Sequence, residues 1–475
     1  MKSKLIATLC LATYLGGCTM IPDMRNLNFG ESKTWNNIPA HEFSIEDGTA
    51  ADTGWQSFFL SDGLKQVIQT TIKNNKDLKI AALNIDEARA LYRINRADLV
   101  PSLNANGNAT IQKSSDQSSV TGTARKTENY AANIAVPAYE LDIFGRIRSQ
   151  NTAALNDYAA TMQARDAVQN ALIGEVANAY LQYLADLKIL ELTKNTLNTQ
   201  KESYDLVKVS FDNGIGTELD IAAAETTVES ARANYYQYQR LVEQDKNALF
   251  LLMGIANDDT MLPLASLSDV KVKDNLDPGV PSQVLLSRPD VKAAEFQLLS
   301  ANADIGAARA AFFPSISLTG AFGFASDDLG NLFTSGAAGA WNFIPQITLP
   351  IFNGGVNKRN LELAEIRKNI AILNYEKTIQ VAFKEVADEL DARKALDKQL
   401  AAQKRLVTAS RKLYNLTKVR YKSGIDNFTD VLIAQRQLYT NQQAEILLEQ
   451  QRLANLINLY KVLGGGRDDE QVISE

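Results

Sequence analysis

Four short stretches of the chain alternate apolar and polar side chains, which is the pattern of a β-strand whose two faces meet different surroundings. The clearest is "SISLTGAFGF", in which Ile316, Leu318, Phe322 and Phe324 share one face. Alternating strands of about 9 to 11 residues are typical of membrane-spanning β-barrels. We therefore predict four barrel strands, at about 102–113, 129–140, 314–325 and 341–351.

The segments that join these strands in pairs, at 113–128 and 326–340, are rich in small and polar residues, as loops outside a membrane are. A soluble sandwich would alternate in the same way, but it needs a second sheet to pack against. Four strands cannot close a barrel and a bilayer tolerates no open sheet edge, so the chain must oligomerise. The sequence does not decide between even totals such as 8, 12 and 16 strands.

The rest of the chain has the periodicity of long helices. Apolar residues recur every three or four positions, for example Val228, Ala231 and Tyr235, as in the narrow stripe of a coiled coil. No proline occurs in residues 138–262 or in residues 351–475, two stretches of 125 residues each. Proline is costly inside helices, so both stretches permit very long ones.

Glycine interrupts each proline-free stretch near its middle. Gly214 ends the first helix and Gly424 ends its counterpart, as glycines do at helix C-termini. The candidate starts of the return helices are Thr217 or Glu218 in the first stretch and Asn427 or Thr429 in the second. Each stretch is therefore predicted to be a helical hairpin whose outgoing arm has about 60 residues, or roughly 90 Å.

The two hairpins belong to a duplication of the chain. "FDNGIGTELD" (211–220) and "YKSGIDNFTD" (421–430) follow the same order from an aromatic residue through Gly-Ile to Asp, at an offset of 210. Upstream, "RADLVPSL" (96–103) matches "RAAFFPSI" (309–316) at an offset of 213. Chance similarity between helices rich in Leu and Ala would not also bring Gly, Pro and Asp into register. We predict two similar halves rather than a solenoid, which needs more repeats.

The N-terminus has the features of a bacterial export signal. Lys2 and Lys4 precede an apolar run of 11 residues, which suits the core of a signal peptide. The run leads into "LGGC", which resembles the lipoprotein signal in which the cysteine, here Cys18, becomes the acylated first residue. An ordinary secretory signal cleaved nearby is the alternative. On the lipoprotein hypothesis Cys10 leaves with the signal, and loss of the two lysines takes the net charge from −6 to −8.

Composition excludes several classes of function. A net charge of −6 and a pI of about 5.3 argue against a nucleic-acid partner. His41 is the only histidine, and both cysteines lie near the N-terminus, so we expect no metal site. No apolar run outside the signal approaches a transmembrane helix in length, so a membrane crossing must use strands. No catalytic constellation is present in the sequence, and we predict no enzyme activity and no cofactor apart from covalent lipid on Cys18.

Four sequence motifs recur together with the paired turns. They are "YELDIFGRIRS" (139–149), "RPDVKAAE" (288–295), "FFPSISLTG" (312–320) and "LPIFNGG" (349–355). Together these motifs resemble the TolC-like outer-membrane factor family, in its lipoprotein branch that serves drug-efflux pumps of the resistance–nodulation–division (RND) type. The resemblance covers essentially the whole mature chain, and Thr19 after the lipidated cysteine favours sorting to the outer membrane. It implies an α+β membrane protein with two tandem repeats, in which each protomer gives four strands to a trimeric 12-stranded barrel and helical hairpins to a periplasmic α-barrel.

The resemblance also implies roles for the two turns, which become the periplasmic tip of the trimer. Gly214, Ile215, Gly424 and Ile425 match helical tips that dock a periplasmic adaptor protein. The positions that match a closed gate are Asp220, Asp430, Tyr421 and Asp426. Some family members carry a basic residue at the position of Asp426 and an acidic one at that of Ile433, so the ion pairs of the gate are expected to differ here.

Two properties of these aspartates follow from their residue type. Six such carboxylates around a threefold axis would repel one another, which favours bound protons or cations and selectivity for cations. The alternative is that Asp220 and Asp430 only cap the start of a helix, where Asp is common.

The predicted organisation follows the duplication. Its segments are the signal peptide (1–17), the lipid-anchored segment (18–57), the first repeat (58–256, with its tip at about 211–218), a linker in the equatorial belt (257–286), the second repeat (287–466, with its tip at about 421–428) and a tail (467–475).

The function implied by the resemblance is that of the outer-membrane exit duct of a tripartite efflux pump. Such a duct conducts drugs and other small molecules passively and contributes to antibiotic resistance. The expected partners are two further copies of the chain, a periplasmic adaptor, an inner-membrane RND-type pump and outer-membrane lipid. The alternatives are the duct of a type I protein-secretion system and a non-conducting, lipid-anchored coiled-coil scaffold.

Overall fold

The computed structural model describes residues 19–24, 50, 53–113, 115, 126–263, 265–274, 276, 287–334 and 338–468. The predicted signal peptide, Cys18, most of the predicted lipid-anchored segment and the last seven residues lie outside the described residues. The chain forms two compact units. The sheet unit comprises 1–28, 84–161 and 293–376, and the hairpin unit comprises 29–83, 162–292 and 377–475.

The sheet unit contains one antiparallel sheet of four strands in the order β1-β2-β3-β4. The strands are β1 (Asn104–Lys113), β2 (Lys126–Leu141), β3 (Ser315–Ser326) and β4 (Gly339–Thr348). β2 begins three residues before its predicted start, and β4 ends three residues before its predicted end. β4 stops just before Pro350, which has no N–H with which to extend the ladder.

The strand register sorts the side chains onto an apolar face and a polar face. Phe322 of β3 is paired with Ile134 of β2 and with Trp341 of β4, so these three side chains share one face. Their exposed fractions are 71%, 59% and 76%, which leaves the apolar face open in this protomer. On the opposite face, Asn106 Nδ2 of β1 donates to Asn133 Oδ1 of β2 at 3.2 Å.

A bulge accommodates a proline inside β2. The register between β2 and β3 shifts between Val136 and Tyr139, at Pro137. Proline cannot donate to the ladder, so it occurs at bulges and edges, where the strand bends and twists more strongly. The Pro137 carbonyl accepts a hydrogen bond from Thr319 Oγ1 of β3 at 2.9 Å, which keeps the two strands joined across the bulge.

Acidic side chains fix the direction in which the chain leaves β2 for the following helix. Asp142 accepts hydrogen bonds from the backbone N–H groups of Ile147 and Arg148 at 3.0 and 2.8 Å. These N–H groups belong to the first helical turn, where they have no partner within the helix. Arg146 forks onto Glu140 with contacts of 2.6 and 2.9 Å.

Long helices dominate the rest of the chain. The described helices are, in chain order, α1 (Trp55–Phe58), α2 (Asp62–Asn74), α3 (Lys76–Ala97), α4 (Arg146–Asp212), α5 (Glu218–Met253), α6 (Pro289–Ala310), α7 (Val356–Lys422) and α8 (Phe428–Val462). The outgoing arms α4 and α7 have 67 residues each, somewhat more than predicted, and so are about 100 Å long.

No helix in the described part of the chain combines the length and the apolar character needed to cross a membrane.

The main core of the hairpin unit is built around aromatic rings. Phe58 of α1 and Tyr460 of α8 stack with ring centroids 3.9 Å apart, and both are buried. The Tyr460 hydroxyl donates to the carbonyl of Thr53 at 2.6 Å and accepts from the N–H of Gly466 at 2.8 Å. The residues that follow α8 are therefore held beside the start of the first repeat.

The duplication is visible where the two return helices end. Asn75 Nδ2 donates to the carbonyl of Leu252 in α5 at 2.8 Å, and Arg288 Nη1 donates to the carbonyl of Val462 in α8 at 3.1 Å. Leu252 and Val462 are 210 positions apart, and Asn75 and Arg288 are 213 apart, which are the two offsets of the sequence repeat. Equivalent residues of the two halves thus donate hydrogen bonds to equivalent carbonyls near the ends of the return helices.

Candidate functional site

The first turn lies between α4 and α5 and is shaped by glycine. Gly214 has φ +76°, in the left-handed region that a residue with a Cβ rarely enters. The backbone N–H groups of Ile215 and Gly216 both donate to the carbonyl of Ser210, at 2.9 and 3.1 Å. These bonds satisfy a carbonyl that the last turn of α4 would otherwise leave unpaired.

Asp220 takes part in the start of α5. Thr217 Oγ1 accepts from the N–H of Asp220 at 3.2 Å, and Asp220 Oδ2 accepts from the N–H of Thr217 at 3.1 Å. This reciprocal arrangement is a capping box, which satisfies two N–H groups at the helix start. The capping role that the sequence left open is therefore present in the geometry, and the gate role of Asp220 stays a prediction.

The second turn, between α7 and α8, repeats this backbone. Gly424 has φ +71°, and the N–H of Ile425 donates to the carbonyl of Arg420 at 3.0 Å. Asn427 Oδ1 caps α8 by accepting from the N–H of Asp430 at 3.1 Å. The Asp430 side chain is exposed in the first turn of α8.

An ion pair joins the two sides of the second turn. Arg420 donates to Asp426 through Nε at 2.7 Å and through Nη2 at 2.8 Å, a two-point contact between the planar groups. The hydrogen bond from Arg420 holds the pKa of Asp426 below its usual range. The sequence indicated Asp426 but not Arg420, because the contact spans six residues across a turn and follows no helical or strand spacing.

Tyr421 connects the second turn to the first. Its ring lies 5.3 Å from that of Phe428 and packs against a buried apolar cluster that includes Val207 of α4. Burial, followed by the negative charge of Asp220, raises the pKa of the Tyr421 hydroxyl, while a hydrogen bond with Ser210 acts in the opposite direction. Tyr421 and Asp220 are therefore neighbours within one protomer.

The two turns enclose a cavity of about 590 Å³. Five of the eight tip residues indicated by the sequence line it, namely Ile215, Asp220, Tyr421, Gly424 and Asp426. The other three, Gly214, Ile425 and Asp430, are not among its lining residues.

Two features of the tip bear on what it can bind. Lys418 and Lys422 also line the cavity, so it presents both signs of charge. The tip also exposes two large apolar side chains, since Ile215 and Ile425 are 84% and 64% exposed. Among the described residues, no group of three or more His, Cys, Asp or Glu side chains is arranged to hold a metal ion.

Comparison with known proteins identifies the family. The model of the family "Outer membrane efflux protein" matches residues 67–255 and 280–465, which is most of the chain. This chain belongs to the outer membrane efflux protein family. Each matched segment contains one of the two hairpins and its turn.

Individual relatives agree with the family match over nearly the full length. The chain is 46% identical to the probable efflux pump outer membrane protein TtgC of Pseudomonas putida over 468 residues, which cover 98% of this chain and 96% of the relative. It is 40% identical to the outer membrane protein OprJ of Pseudomonas aeruginosa over 465 residues, with the same two shares covered.

Solved structures give the same answer for the fold. A membrane protein from Pseudomonas aeruginosa superposes with a TM-score of 0.89 at 40% identity, covering 95% of this chain and 98% of the other. The open state of the MtrE outer membrane channel of Neisseria gonorrhoeae superposes with a TM-score of 0.85 at 38% identity, covering 95% and 99%.

These comparisons confirm the resemblance to TolC-like outer-membrane factors and the predicted fold class. The protomer is an outer-membrane efflux protein with two tandem repeats, which contributes four strands to a trimeric barrel and long hairpins to a helical barrel. The outer-membrane location and the part in efflux are confirmed as well. The names of these relatives favour efflux over the two alternatives, which were protein secretion and a non-conducting scaffold. The segment boundaries, the lipid on Cys18 and the roles of the individual tip residues stay predictions.

Proposed function

We propose that this protein is the exit duct of a tripartite efflux pump, assembled as a homotrimer and anchored by lipid on Cys18. The observation that carries the proposal is the sheet, whose end strands are β1 and β4 and whose apolar face exposes Ile134, Phe322 and Trp341. In a bilayer such a sheet is satisfied only when its edges are paired and its apolar face meets lipid. Pairing β1 of each copy with β4 of the next closes 12 strands in a trimer.

The duct carries its cargo passively. Its task requires a wall and a gate rather than a reacting group, and the energy comes from an inner-membrane pump of the RND type. The name of the relative TtgC, an efflux pump outer membrane protein, supports this division of labour. The cargo is drugs and other small molecules, which pass from the periplasm to the outside.

The paired turns are the gate and the docking surface of the duct. Their shared cavity supports a gate in which Tyr421 packs between the two hairpins beside Asp220, and Asp426 lines the same cavity. We assign Asp430, whose side chain is exposed at the start of α8, to the narrowest part of the pore. The exposed Ile215 beside Gly214, and Ile425 beside Gly424, support apolar docking of a periplasmic adaptor protein.

The test is the single-channel current of the purified protein in a planar bilayer. A double variant, Asp220→Asn with Asp430→Asn, removes the predicted ring of charge while keeping the size of both side chains. Glu218→Gln is the matched control, because Glu218 is an exposed acidic residue in the same helical turn as Asp220. We expect small, cation-selective currents from the native protein and from the control, and larger, less selective currents from the double variant.

Other outcomes separate the alternatives. Currents that are identical in the native protein and the double variant would keep the duct but remove the two aspartates from its gate. An absence of current from intact trimers of both proteins would instead support a non-conducting scaffold.

A further inference from the structure

The described N-terminal residues 19–24 contact helix α6 of the same unit. Asn302 Nδ2 donates to the carbonyl of Pro22 at 2.8 Å. One helical turn further on, Gly306 faces Ile21. A Cβ placed on Gly306 would lie 2.7 Å from Ile21 Cγ1 and 2.9 Å from the Ile21 nitrogen, closer than Cβ atoms approach other atoms in proteins. Only glycine at this position leaves room for the segment.

Helix α4 supplies the third side of this contact. The same Cβ on Gly306 would lie 2.7 Å from Ser149 Oγ. Ser149 and Asn302 are 1% and 3% exposed, and Ser149 Oγ and Asn302 Oδ1 have no hydrogen-bond partner within the described part of the chain. Buried polar atoms are rarely left unpaired, because desolvation is costly. Both atoms stay unpaired with residues 19–24 in place, so the segment is held by its packing on Gly306 and by the hydrogen bond from Asn302 to Pro22.

The duplication shows that the space beside Gly306, which we call the notch, is a feature of α6 and not of its counterpart α3 in the first repeat. At the offset of 213, Asn302 and Gly306 correspond to Arg89 and Arg93 of α3. Arg89 extends its guanidinium to Tyr158, with Nε 3.2 Å from the hydroxyl. The first repeat thus carries two long charged side chains where the second carries a small amide and no side chain. A general helix-packing requirement would not distinguish the two halves in this way.

We propose that Asn302, Gly306 and Ser149 form an anchor seat, which holds the residues directly behind Cys18 and fixes where the lipid leaves the protein. The inference rests on the proposed lipidation of Cys18. Ile21 is three positions after Cys18, so the lipid is attached within about 11 Å of the seat.

The position of the seat explains its use. Ser149 lies in the first turn of α4, which begins five residues after the end of β2. The acyl chains therefore emerge at the end of the sheet where strands give way to helices. At this level, chains fixed by the seat enter the leaflet on the helical side of the barrel, whereas chains on a free tether would not be held to one height.

The test measures the access of a thiol reagent to position 21. The variant Ile21→Cys places a thiol over Gly306 in the full-length, membrane-extracted protein. Its rate of reaction with a maleimide reports how often the segment leaves the seat. Cys18 is the only other thiol after signal removal, and lipid would block it, so the parent protein without Ile21→Cys serves as the blank.

Three further variants are combined with Ile21→Cys. Gly306→Val fills the notch, and we expect the reaction to accelerate by about tenfold or more. Asn302→Ala removes the hydrogen bond to Pro22 without adding bulk, and we expect about a threefold acceleration. Arg93→Val is the matched control, because it installs the same valine at the equivalent, exposed position of the first repeat. It is expected to leave the rate unchanged.

Two results would overturn the anchor seat. One is an equal rate in all four proteins, and the other is a rate in the Ile21→Cys protein that already equals that of the denatured chain. If Gly306→Val does not assemble, as judged by its migration on a heat-modifiable gel, Asn302→Ala decides between these outcomes. A reactive thiol in the parent protein would show instead that Cys18 is not lipidated, which is a failure of the proposed anchor and not of the seat.

Discussion

The two helical turns share one backbone and differ in the side chains that close it. Gly214 and Gly424 have nearly the same left-handed φ, +76° and +71°. At the offset of 210, however, the ion pair of Arg420 with Asp426 corresponds to Ser210 and Gly216, which carry no charge. The glycine-based turn was therefore retained in both halves, while a charged contact exists in only one of them.

The opposite ends of the return helices differ in the same manner. Asn75 binds the carbonyl of Leu252 at the end of α5, and Arg288 binds the carbonyl of Val462 at the end of α8. The first donor is a neutral amide and the second is a guanidinium. Arg288 is 7% exposed and pairs with Asp290 at 2.7 Å and with Glu385 at 2.8 Å. In both places the second repeat adds charge to a contact that the first repeat makes without it.

The largest expected effect is a difference in stability between loss of the Arg288 contact and loss of the equivalent Asn75 contact. Arg288→Met leaves two half-exposed carboxylates without their buried partner, and we expect a loss of about 3 kcal/mol in the free energy of unfolding. Asn75→Ala removes a neutral hydrogen bond and also the cap of α3, in which Asn75 Oδ1 accepts from the N–H of Leu78 at 3.0 Å, with an expected loss of about 1 kcal/mol. Denaturant titration in detergent, followed by circular dichroism, measures both. Equal losses would mean that the charge adds nothing to the second contact.

A smaller effect tests whether the two turns are equivalent in backbone. Gly214→Ala and Gly424→Ala each force an L-residue into the left-handed region, at an expected cost of about 1–2 kcal/mol. The two losses should be equal, because a Cβ at either glycine meets no atom of the described residues within 4 Å and only backbone strain contributes.

Gly330→Ala is the control for these glycine variants, since Gly330 does not have a positive φ and the nearest atom to its Cβ would be 3.4 Å away. It should cost little in the same titration. A clear difference between Gly214→Ala and Gly424→Ala would show that side chains, and not the shared backbone, determine the stability of the turns.

Much of this architecture could be predicted because it depends on local pattern. The alternation around Phe322 predicted the apolar face of β3, and the glycines at 214 and 424 predicted both turns. In each case the signal is local, because glycine tolerates the left-handed φ of a turn and every second side chain of a strand lies on the same face. The contacts that distinguish the repeats were harder, because Arg420 and Asp426, or Arg288 and Glu385, meet only after the chain has folded.

The N-terminal segment shows a second limit of local pattern. Gly306 lies inside an ordinary helix, where glycine is only a mildly unfavourable residue. Nothing near it in the sequence indicates that Ile21, 285 positions earlier, occupies the space of the missing side chain. Only the comparison with Arg93 in the other repeat marks the position as unusual, and that comparison becomes informative once the contact is known.

A pH-dependent effect distinguishes the two hairpins. Burial, together with a hydrogen bond and the charge of Asp186, raises the pKa of Asp245 in α5 to about 7. Asp186 is 4% exposed and accepts from Gln182 Nε2 at 3.2 Å. The equivalent of Asp245 in the second repeat is Asn455, an amide that donates to the carbonyl of Glu389 at 2.9 Å.

The sign of the effect follows from proton binding. Because the folded pKa of Asp245 lies above the unfolded value, the folded state binds more protons between about pH 4 and pH 7, so stability falls as the pH rises through that range. Asp245→Asn copies the second repeat and should raise the melting temperature at pH 8.5 while leaving it nearly unchanged at pH 4. A rise of the same size at both values would contradict the raised pKa.

The smallest effect concerns the exposed ion pair, since such pairs contribute little to stability in water. The lowered pKa of Asp426 means that the contribution of the pair is present above the usual titration range of aspartate and is lost as the pH falls through the lowered value. Asp426→Asn should therefore leave the melting temperature at pH 7 almost unchanged, and any small loss should shrink in 1 M salt because screening weakens the pair.

Transplanting the pair into the first turn, by Ser210→Arg with Gly216→Asp, should not stabilise that turn. A Cβ on Gly216 would lie 3.1 Å from the nitrogen of Phe211, so the end of α4 would have to shift to admit it. Melting temperatures of the double variant and of Ser210→Arg alone separate crowding from charge. Crowding lowers the melting temperature only when Gly216 is replaced. A higher melting temperature of the double variant would show that the first turn can form the same ion pair as the second. The difference between the two turns would then not be imposed by steric constraint.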